Sequence, residues 1–204
     1  MFRLRIVEMD YYMAPPLMNI DVNFSLFSGK SVSRVPVIRI YGVTPAGQKA
    51  CVHIHRSFPY LFIMLDDHMS EQSAAEFLKG FGAVAHRAHH VQCREGSRFK
   101  EHVAQLSIVS AVPFYGYWPR ARNFLKIHLF DPADVRKTVG VLESRQLFGR
   151  VFQPYEAHIP YLQHFMVDHN LYGMDFLELS SMTFRRPLPS SFRPHPLQRL
   201  GLSR

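Results

Sequence analysis

One short segment carries residues that could bind a metal ion: His86, His89, His90 and Cys93. On a helix, His86, either of the next two histidines, and Cys93 would recur at i, i+3 or i+4, and i+7. Such spacing lines up imidazoles and a thiolate on one face that zinc could use. All four residues come from a single segment, however, and the chain offers no second ligand pair. We therefore interpret the segment as a solvent-facing histidine cluster, with zinc as the alternative.

A second segment, residues 113–122, mixes aromatic and basic side chains between two predicted strands. Rings that stack on bases and cations that contact phosphates are what single-strand binding requires. The alternative is that at least two of the rings close one end of a sheet, because large aromatic side chains rarely stay exposed. The arginines would then still be available. The candidate contacts to nucleic acid, including three in the carboxy-terminal tail, are Tyr115, Tyr117, Arg120, Arg122, Lys126, Arg185, Arg186 and Arg193.

Motifs of known catalytic sites are missing from the sequence. It contains no G-x-x-x-x-G-K-[ST] loop, no G-x-G-x-x-G turn and no G-x-S-x-G elbow. Asp66 and Asp67 are adjacent, so on a strand or turn their side chains point apart. Two-metal chemistry needs carboxylates that converge from separate elements, and no such pair is recognisable. We predict no catalytic residue, no cofactor site and no metal site in this chain.

The positive charge is concentrated in the tail. The chain has 204 residues and a net charge of +8, from 24 Lys and Arg against 16 Asp and Glu. Residues 183–204 hold five arginines and no acid, so subtracting five from eight leaves +3 for residues 1–182. We predict one domain over 1–182, in one or two lobes, followed by a Pro- and Arg-rich mobile tail over 183–204.

The composition is typical of a soluble, intracellular protein. The chain is 47% hydrophobic and 20% charged. No apolar run approaches the roughly 18 residues of a membrane-spanning helix, so we expect no membrane partner. Two cysteines, Cys51 and Cys93, are too few for a disulfide framework, and we expect both to be reduced thiols.

Alternation of apolar residues predicts an α+β fold, an antiparallel sheet with interleaved helices. A five-residue Pro- and Gly-containing connection between two β-rich runs predicts a hairpin. Residues 13–30, with Pro15 and Pro16, read as a loop. The predicted strands are Phe2–Val7, Val35–Val43, Lys49–His55, Phe58–Leu65, His102–Ser110 and Asn123–Phe130.

Capping signals and helical spacing predict four helical segments. The clearest begins at Asp131, which caps it, with Pro132 at its first position and an apolar stripe at i, i+4 and i+7. Its inward residues are Val135, Val139 and Leu142. The final helix runs from about 160 to 169 with Leu162, Phe165 and Met166 inward. The other two cover 70–78, interrupted by Gly80 and Gly82, and about 83–93.

Several segments in the same order resemble the amino-terminal domain of eukaryotic family-B DNA polymerases. They are residues 35–48 (VPVIRIYGVTPAGQ), 51–61 (CVHIHRSFPYL) and 154–168 (PYEAHIPYLQHFMVD). These segments are similar to the delta and zeta catalytic subunits. Residues 1–14, 113–117 and 170–174 look like the zeta subunits in particular. The resemblance spans about residues 1–180 and leaves the tail unmatched.

The resemblance implies a non-catalytic segment of a nuclear translesion polymerase, which scaffolds the polymerase core and helps to guide template DNA. The family's polymerase motifs, D-x-x-S-L-Y-P-S and Y-x-D-T-D-S, do not occur in this sequence. Magnesium, an iron–sulfur cluster and the accessory subunits would belong to other regions of the parent enzyme. The expected partners are DNA and the remaining polymerase domains. We expect a fragment, a truncated gene model or a short isoform, and the alternative is a stand-alone single-strand-binding or adaptor protein.

Overall fold

Two four-stranded antiparallel sheets organise the chain in the computed structural model, which describes residues 2–25, 30–65, 102–112, 119–144 and 151–179. A two-stranded ladder accompanies them. The strands are β1 (Phe2–Ala14), β2 (Phe24–Ser25), β3 (Lys30–Ser31), β4 (Val35–Val43), β5 (Lys49–Ile54), β6 (Tyr60–Met64), β7 (Val103–Ala111), β8 (Arg122–Leu129), β9 (Pro154–Tyr155) and β10 (Phe176–Leu179). The described helices are α1 (Val135–Glu143) and α2 (Tyr161–Asp168).

The first sheet has the strand order β10-β1-β4-β5. β4 and β5 form the predicted hairpin, in which Ile40 lies opposite Val52. Gly47 adopts a φ of 80° in the connecting turn, a conformation that glycine reaches without strain. Ile38 and Ile40 are fully buried and pack with Tyr161 and Phe165 of α2. The apolar side of α2 therefore covers one face of this sheet.

The second sheet has the order β7-β8-β6-β9. Leu61 and Ile63 of β6, with Leu125 and Ile127 of β8, form one fully buried cluster. Leu142 of α1 belongs to the same cluster. Each sheet thus has a main core closed by one of the two described helices, and a third cluster joins Val35 and Val37 of β4 to Phe130, which follows β8.

The predicted α1 stripe is confirmed. Asp131 accepts a hydrogen bond from the Ala133 backbone N–H, and a 3-10 turn over Pro132–Asp134 leads into the helix. Leu142 is fully buried, and Val135 and Val139 pack against the core of the second sheet. No helix in the described ranges is long and apolar enough to cross a bilayer.

Several sequence predictions needed correction. β1 continues to Ala14 rather than ending at Val7, because residues 8–14 pair continuously with β4 after a bulge. The predicted loop over 13–30 contains β2 and ends in β3, which pair with each other. β9 and β10 were missed because each is only two to four residues long and is stabilised by a distant partner.

The tail and two of the four predicted helices lie outside the described residues. These helices are the ones predicted over 70–78 and 83–93. The division into a domain over 1–182 and a tail over 183–204 therefore stays a prediction.

Candidate nucleic-acid interface

The outer face of the second sheet carries aromatic and basic side chains from its two central strands. Side chains alternate across a strand, so the burial of Leu61 and Ile63 places Phe62 on the opposite face. The same alternation on β8 places Phe124 and Lys126 on that outer face, opposite Leu125. Strand pairing then brings Phe62 directly opposite Lys126.

Three rings form a contiguous group on this face, which we call the platform: Phe62, Phe124 and Tyr155. Tyr155 of β9 lies opposite Phe62 in the strand register. The Phe124 ring contacts Tyr155 edge-on at 5.5 Å between centroids, and Phe62 at 5.9 Å. Phe124 is almost completely buried, whereas Phe62 and Tyr155 are partly exposed. Those two rings are the accessible part of the platform.

Cations flank the platform. Arg122 lies on the same face of β8 as Phe124 and Lys126 and is partly exposed. Arg120, two residues earlier, is exposed. The Lys126 ammonium lies 3.5 Å from the centroid of the Tyr60 ring and 5.5 Å from that of Phe62. Burial lowers the pKa of Lys126, and the nearby carboxylates of Asp168 and Glu156 oppose that shift.

The end of the platform near Tyr60 is covered by α2. The Tyr60 hydroxyl donates a hydrogen bond of 2.8 Å to Asp168, and burial is the main reason that its pKa is raised. The His164 ring stacks on Tyr60 at 4.3 Å with 7° between the planes. His164 Nε2 lies 3.5 Å from Glu156 Oε2 and has no hydrogen-bond partner among the described residues. The outer face is therefore partly exposed at Phe62 and covered at Tyr60.

This arrangement suits the binding of unpaired bases. Four-stranded sheets of single-strand-binding modules present aromatic rings on adjacent central strands, and bases stack on those rings. Here β8 and β6 are the central strands and carry Phe124 and Phe62. Arg122 and Lys126 lie on the same face, where they can contact the phosphates that join stacked bases.

The structure brings together two of the predicted contact residues, Arg122 and Lys126, on one face of β8, with Arg120 exposed beside them. The remaining candidates, Tyr115, Tyr117, Arg185, Arg186 and Arg193, lie outside the described residues, as do His86, His89, His90 and Cys93 of the candidate zinc segment.

Sequence reasoning missed Phe62 and Tyr155 as stacking candidates. The alternation within residues 58–65 was a usable signal for Phe62. Tyr155 had no such signal, because β9 has only two residues.

A second polar surface lies on the outer face of the first sheet, but its charge is neutralised. Arg39 donates two hydrogen bonds to the Asp10 carboxylate, at 2.6 and 2.5 Å, and its guanidinium stacks over the Tyr12 ring at 4.7 Å. Burial raises the pKa of the neighbouring Cys51 thiol to about 11 and that of Tyr41 to about 12. An arginine already paired in this way is poorly placed to bind phosphate.

The described residues do not provide a metal site. Within those ranges, no group of three or more His, Cys, Asp or Glu side chains is arranged to hold an ion. The magnesium and iron–sulfur chemistry that the resemblance implies is therefore assigned to no residue of this part of the chain.

Comparisons with known protein families divide the chain into two matched segments. Residues 1–55 match the family model for the DNA polymerase zeta catalytic subunit, N-terminal. Residues 56–136 match the model for the DNA polymerase delta catalytic subunit-like, N-terminal domain. The two matches are adjacent and follow the chain order that the quoted segments predicted.

Individual relatives extend the match over most of the chain. The DNA polymerase zeta catalytic subunit of Mus musculus is 42% identical over 91% of this chain, and that of Homo sapiens is 41% identical over 91%. The Arabidopsis thaliana protein is 42% identical over 95%. The chain spans only 6% of the mouse and human proteins and 10% of the Arabidopsis protein.

A solved structure shares the fold. The family B DNA polymerase from the hyperthermophilic archaeon Pyrobaculum calidifontis superposes with a TM-score of 0.50 over 82% of this chain and 16% of that chain. Sequence identity in the superposition is 19%, so this likeness concerns the fold alone.

Proposed function

Because this chain is homologous to the amino-terminal region of DNA polymerase zeta catalytic subunits, we propose that it is a non-catalytic domain of a translesion DNA polymerase. In this role it scaffolds the polymerase core and guides the unpaired template strand. The single observation that carries the second part is the platform, which presents the partly exposed Phe62 and Tyr155 beside Arg122 and Lys126 on one sheet face.

The chemistry of the platform favours single strands over duplexes. An unpaired base offers its flat face to an aromatic ring, whereas a base within a duplex is already stacked on both sides. Phe62 and Tyr155 are adjacent across the β6–β9 ladder, so successive bases can reach successive rings. The partly exposed Arg122 begins β8 and the exposed Arg120 lies two residues before it, where both can contact the phosphates.

The remaining parts of the proposal concern the whole enzyme. We propose a nuclear location, the other polymerase domains as direct partners, and accessory subunits that bind elsewhere on the polymerase. Magnesium and an iron–sulfur cluster would serve those other regions. A stand-alone single-strand-binding or adaptor protein is the second candidate, and the open platform is the observation that favours it. Loss of binding to the polymerase core after a change in the first sheet would favour the scaffold over the adaptor.

The test is the affinity of the full chain for fluorescently labelled oligo(dT), measured by anisotropy at elevated salt. High salt weakens the electrostatic part of binding and leaves stacking. Stacking on an aromatic ring contributes about 1–3 kcal/mol per base. We therefore expect the Phe62→Leu, Tyr155→Leu double variant to bind at least about tenfold more weakly.

The matched control is Tyr172→Leu, which removes an exposed ring from a residue that belongs to no strand of either sheet. Its affinity should equal that of the unaltered chain. Circular dichroism of each variant checks that the fold is retained. An unchanged affinity in the folded double variant would rule out the platform as the binding surface.

A further inference from the structure

Met64 lies beside the platform, one step further along β6 than Phe62. The residue between them, Ile63, is fully buried in the core of the second sheet. Alternation therefore places the Phe62 and Met64 side chains together on the outer face. Strand pairing puts Met64 directly opposite Phe124. Met64 is 36% exposed, more than Phe62, so a ligand on this face can reach it directly.

A methionine in this position can pack against a nucleobase. Its thioether is polarisable and makes favourable contacts with aromatic rings, and its unbranched chain adapts to rings of different size. The neighbouring Phe124 ring is almost completely buried and offers little surface of its own. Met64 therefore provides the accessible apolar surface at this end of the outer face.

Cations lie on both sides of the pair formed by Phe62 and Met64. Lys126 is directly opposite Phe62. Arg122 is two residues before Phe124 on β8, so in the antiparallel ladder it lies beyond Met64 on the same face. Four residues of a strand span about 13 Å. A DNA backbone that places bases over both Phe62 and Met64 would therefore pass a cation at each end.

The spacing of these contacts favours one conformation of the single strand. Side chains two residues apart on a strand are about 6.6 Å apart, whereas successive bases stacked in a DNA strand are about 3.4 Å apart. Two neighbouring bases cannot rest on Phe62 and Met64 and remain stacked on each other. Pulling neighbouring bases apart costs least where stacking is weak, as it is in pyrimidine runs.

We propose that Met64 is a further base contact of the platform, and that with Phe62 it selects extended, unstacked, pyrimidine-rich single strands of DNA. This inference rests on the proposed function of the platform and names the kind of strand that it binds. Phe62 and Tyr155 lie on neighbouring strands, which are about 4.8 Å apart. That spacing is closer to the distance between stacked bases, so the selectivity depends on Met64.

The experiment measures the affinity of the full chain for labelled oligo(dT) and oligo(dA) of equal length, by anisotropy at elevated salt. The unaltered chain should bind oligo(dT) about threefold more tightly or better. Met64→Ala should weaken binding of oligo(dT) by about two- to tenfold, the range for one contact between a thioether and an aromatic ring. Binding of oligo(dA) should weaken less, so that the preference for oligo(dT) falls.

Two control variants accompany Met64→Ala. Met64→Leu keeps an apolar side chain of similar volume and should change the affinity by less than about twofold. Met18→Ala removes a methionine that is 79% exposed and belongs to no strand, and it should leave both affinities unchanged. Circular dichroism checks that each variant is folded.

Unchanged affinity for oligo(dT) in the folded Met64→Ala variant overturns the inference. An equal loss for the two oligonucleotides overturns it as well, because the contact would then not select an extended strand. In either case a loss of affinity in the Phe62→Leu, Tyr155→Leu variant would still support the platform. Failure of the platform itself would appear as unchanged affinity in that double variant.

Discussion

At the scale of single residues, the part of the second sheet that α2 covers, around Tyr60, contains partly buried ionisable groups. Lys126 and His128 are two residues apart on β8, so their side chains lie on the same face of the sheet. Both contact the Tyr60 ring. His128 Nδ1 is buried without a hydrogen-bond partner among the described residues. Burial, and secondarily the charge of Lys126, lower the pKa of His128 to about 4. The imidazole is therefore neutral in the folded protein at physiological pH.

This shift makes stability depend on pH in a defined window. Between the pKa of about 4 in the folded state and about 6.5 in the unfolded state, the unfolded chain binds a proton that the folded chain does not. Stability contributed by neutral His128 is therefore present above pH about 6.5 and is lost as pH falls toward 4. The full loss is roughly 3 kcal/mol.

We predict that His128→Leu removes this dependence. Urea unfolding at several pH values between 4 and 8 measures it. The stability of the variant relative to the unaltered chain should rise as pH falls, and should change little above pH about 7. A difference that stays constant with pH would contradict the assignment.

At the scale of elements, α2 contacts both sheets. Tyr161 and Phe165 pack into the core of the first sheet. His164 and Asp168 face Tyr60 of the second sheet. One eight-residue helix thus presents a hydrophobic side to one sheet and a polar side to the other.

The junction of β1 and β4 yields the sharpest prediction about the elements. A β-bulge shifts the register between Ile6 and Glu8, and Gly42 lies opposite Ile6. A methyl group on Gly42 would collide with the Arg5 carbonyl oxygen and approach Leu4 Cγ at 2.7 Å. Gly42→Ala should therefore destabilise the chain by about 2–4 kcal/mol.

Gly140→Ala is the matched control. Gly140 lies within α1, and a Cβ there meets nothing within 4 Å. Alanine should stabilise the helix by about 0.5–1 kcal/mol. Chemical denaturation of both variants measures the two effects, and equal effects would show that the close approach at Gly42 relaxes easily.

The elements also show which parts of the fold and of the candidate site the sequence could predict. The β-rich runs were sufficient to predict β4, β5 and β8, because each is a continuous stretch of strand-forming residues bounded by turn signals. It could not show that Tyr155 lies beside Phe62, since that contact joins residues 93 positions apart through the register of a two-residue strand. His164 was overlooked for a related reason, because a polar residue on a helix gives no sign that it is buried against another sheet.

At the scale of the whole molecule, the sequence lacks the recognisable motifs of catalytic sites. We predict that the purified chain shows no nucleotidyl transfer, because it carries no recognisable pair of converging carboxylates to position two metal ions. A primer-extension assay with magnesium and all four nucleotides measures this. Extension activity that copurifies with the chain through successive columns would contradict the prediction.

The distribution of charge predicts that long-range attraction to DNA comes mainly from the tail. Residues 183–204 contribute five of the eight net positive charges. For single strands, log affinity falls with log salt by about 0.7 per phosphate neutralised, so five arginines give a slope of about −3.5. Deleting the tail should reduce that slope to about −1 or less, with the remainder carried by Arg120, Arg122 and Lys126.

Arg120→Ala, Arg122→Ala in the intact chain should have the smaller effect on the salt slope. Salt titrations of the tail deletion and of the double alanine variant with the same oligonucleotide show which change has the larger effect on the slope. If the double alanine variant abolishes binding and the deletion leaves the slope unchanged, the tail is inert.

The pairing of the first described strand with the last has a consequence for protein synthesis. Phe2 lies opposite Leu179, so β10 completes the first sheet only after nearly the whole described chain has been made. At about 5–20 residues per second, β1 waits roughly 10–35 s on the ribosome for this neighbour. During that interval one edge of β1 offers unpaired backbone groups to any other nascent chain. Translation that stops short of Phe176 would leave this edge open permanently, and such products should be preferred substrates for chaperones and proteases.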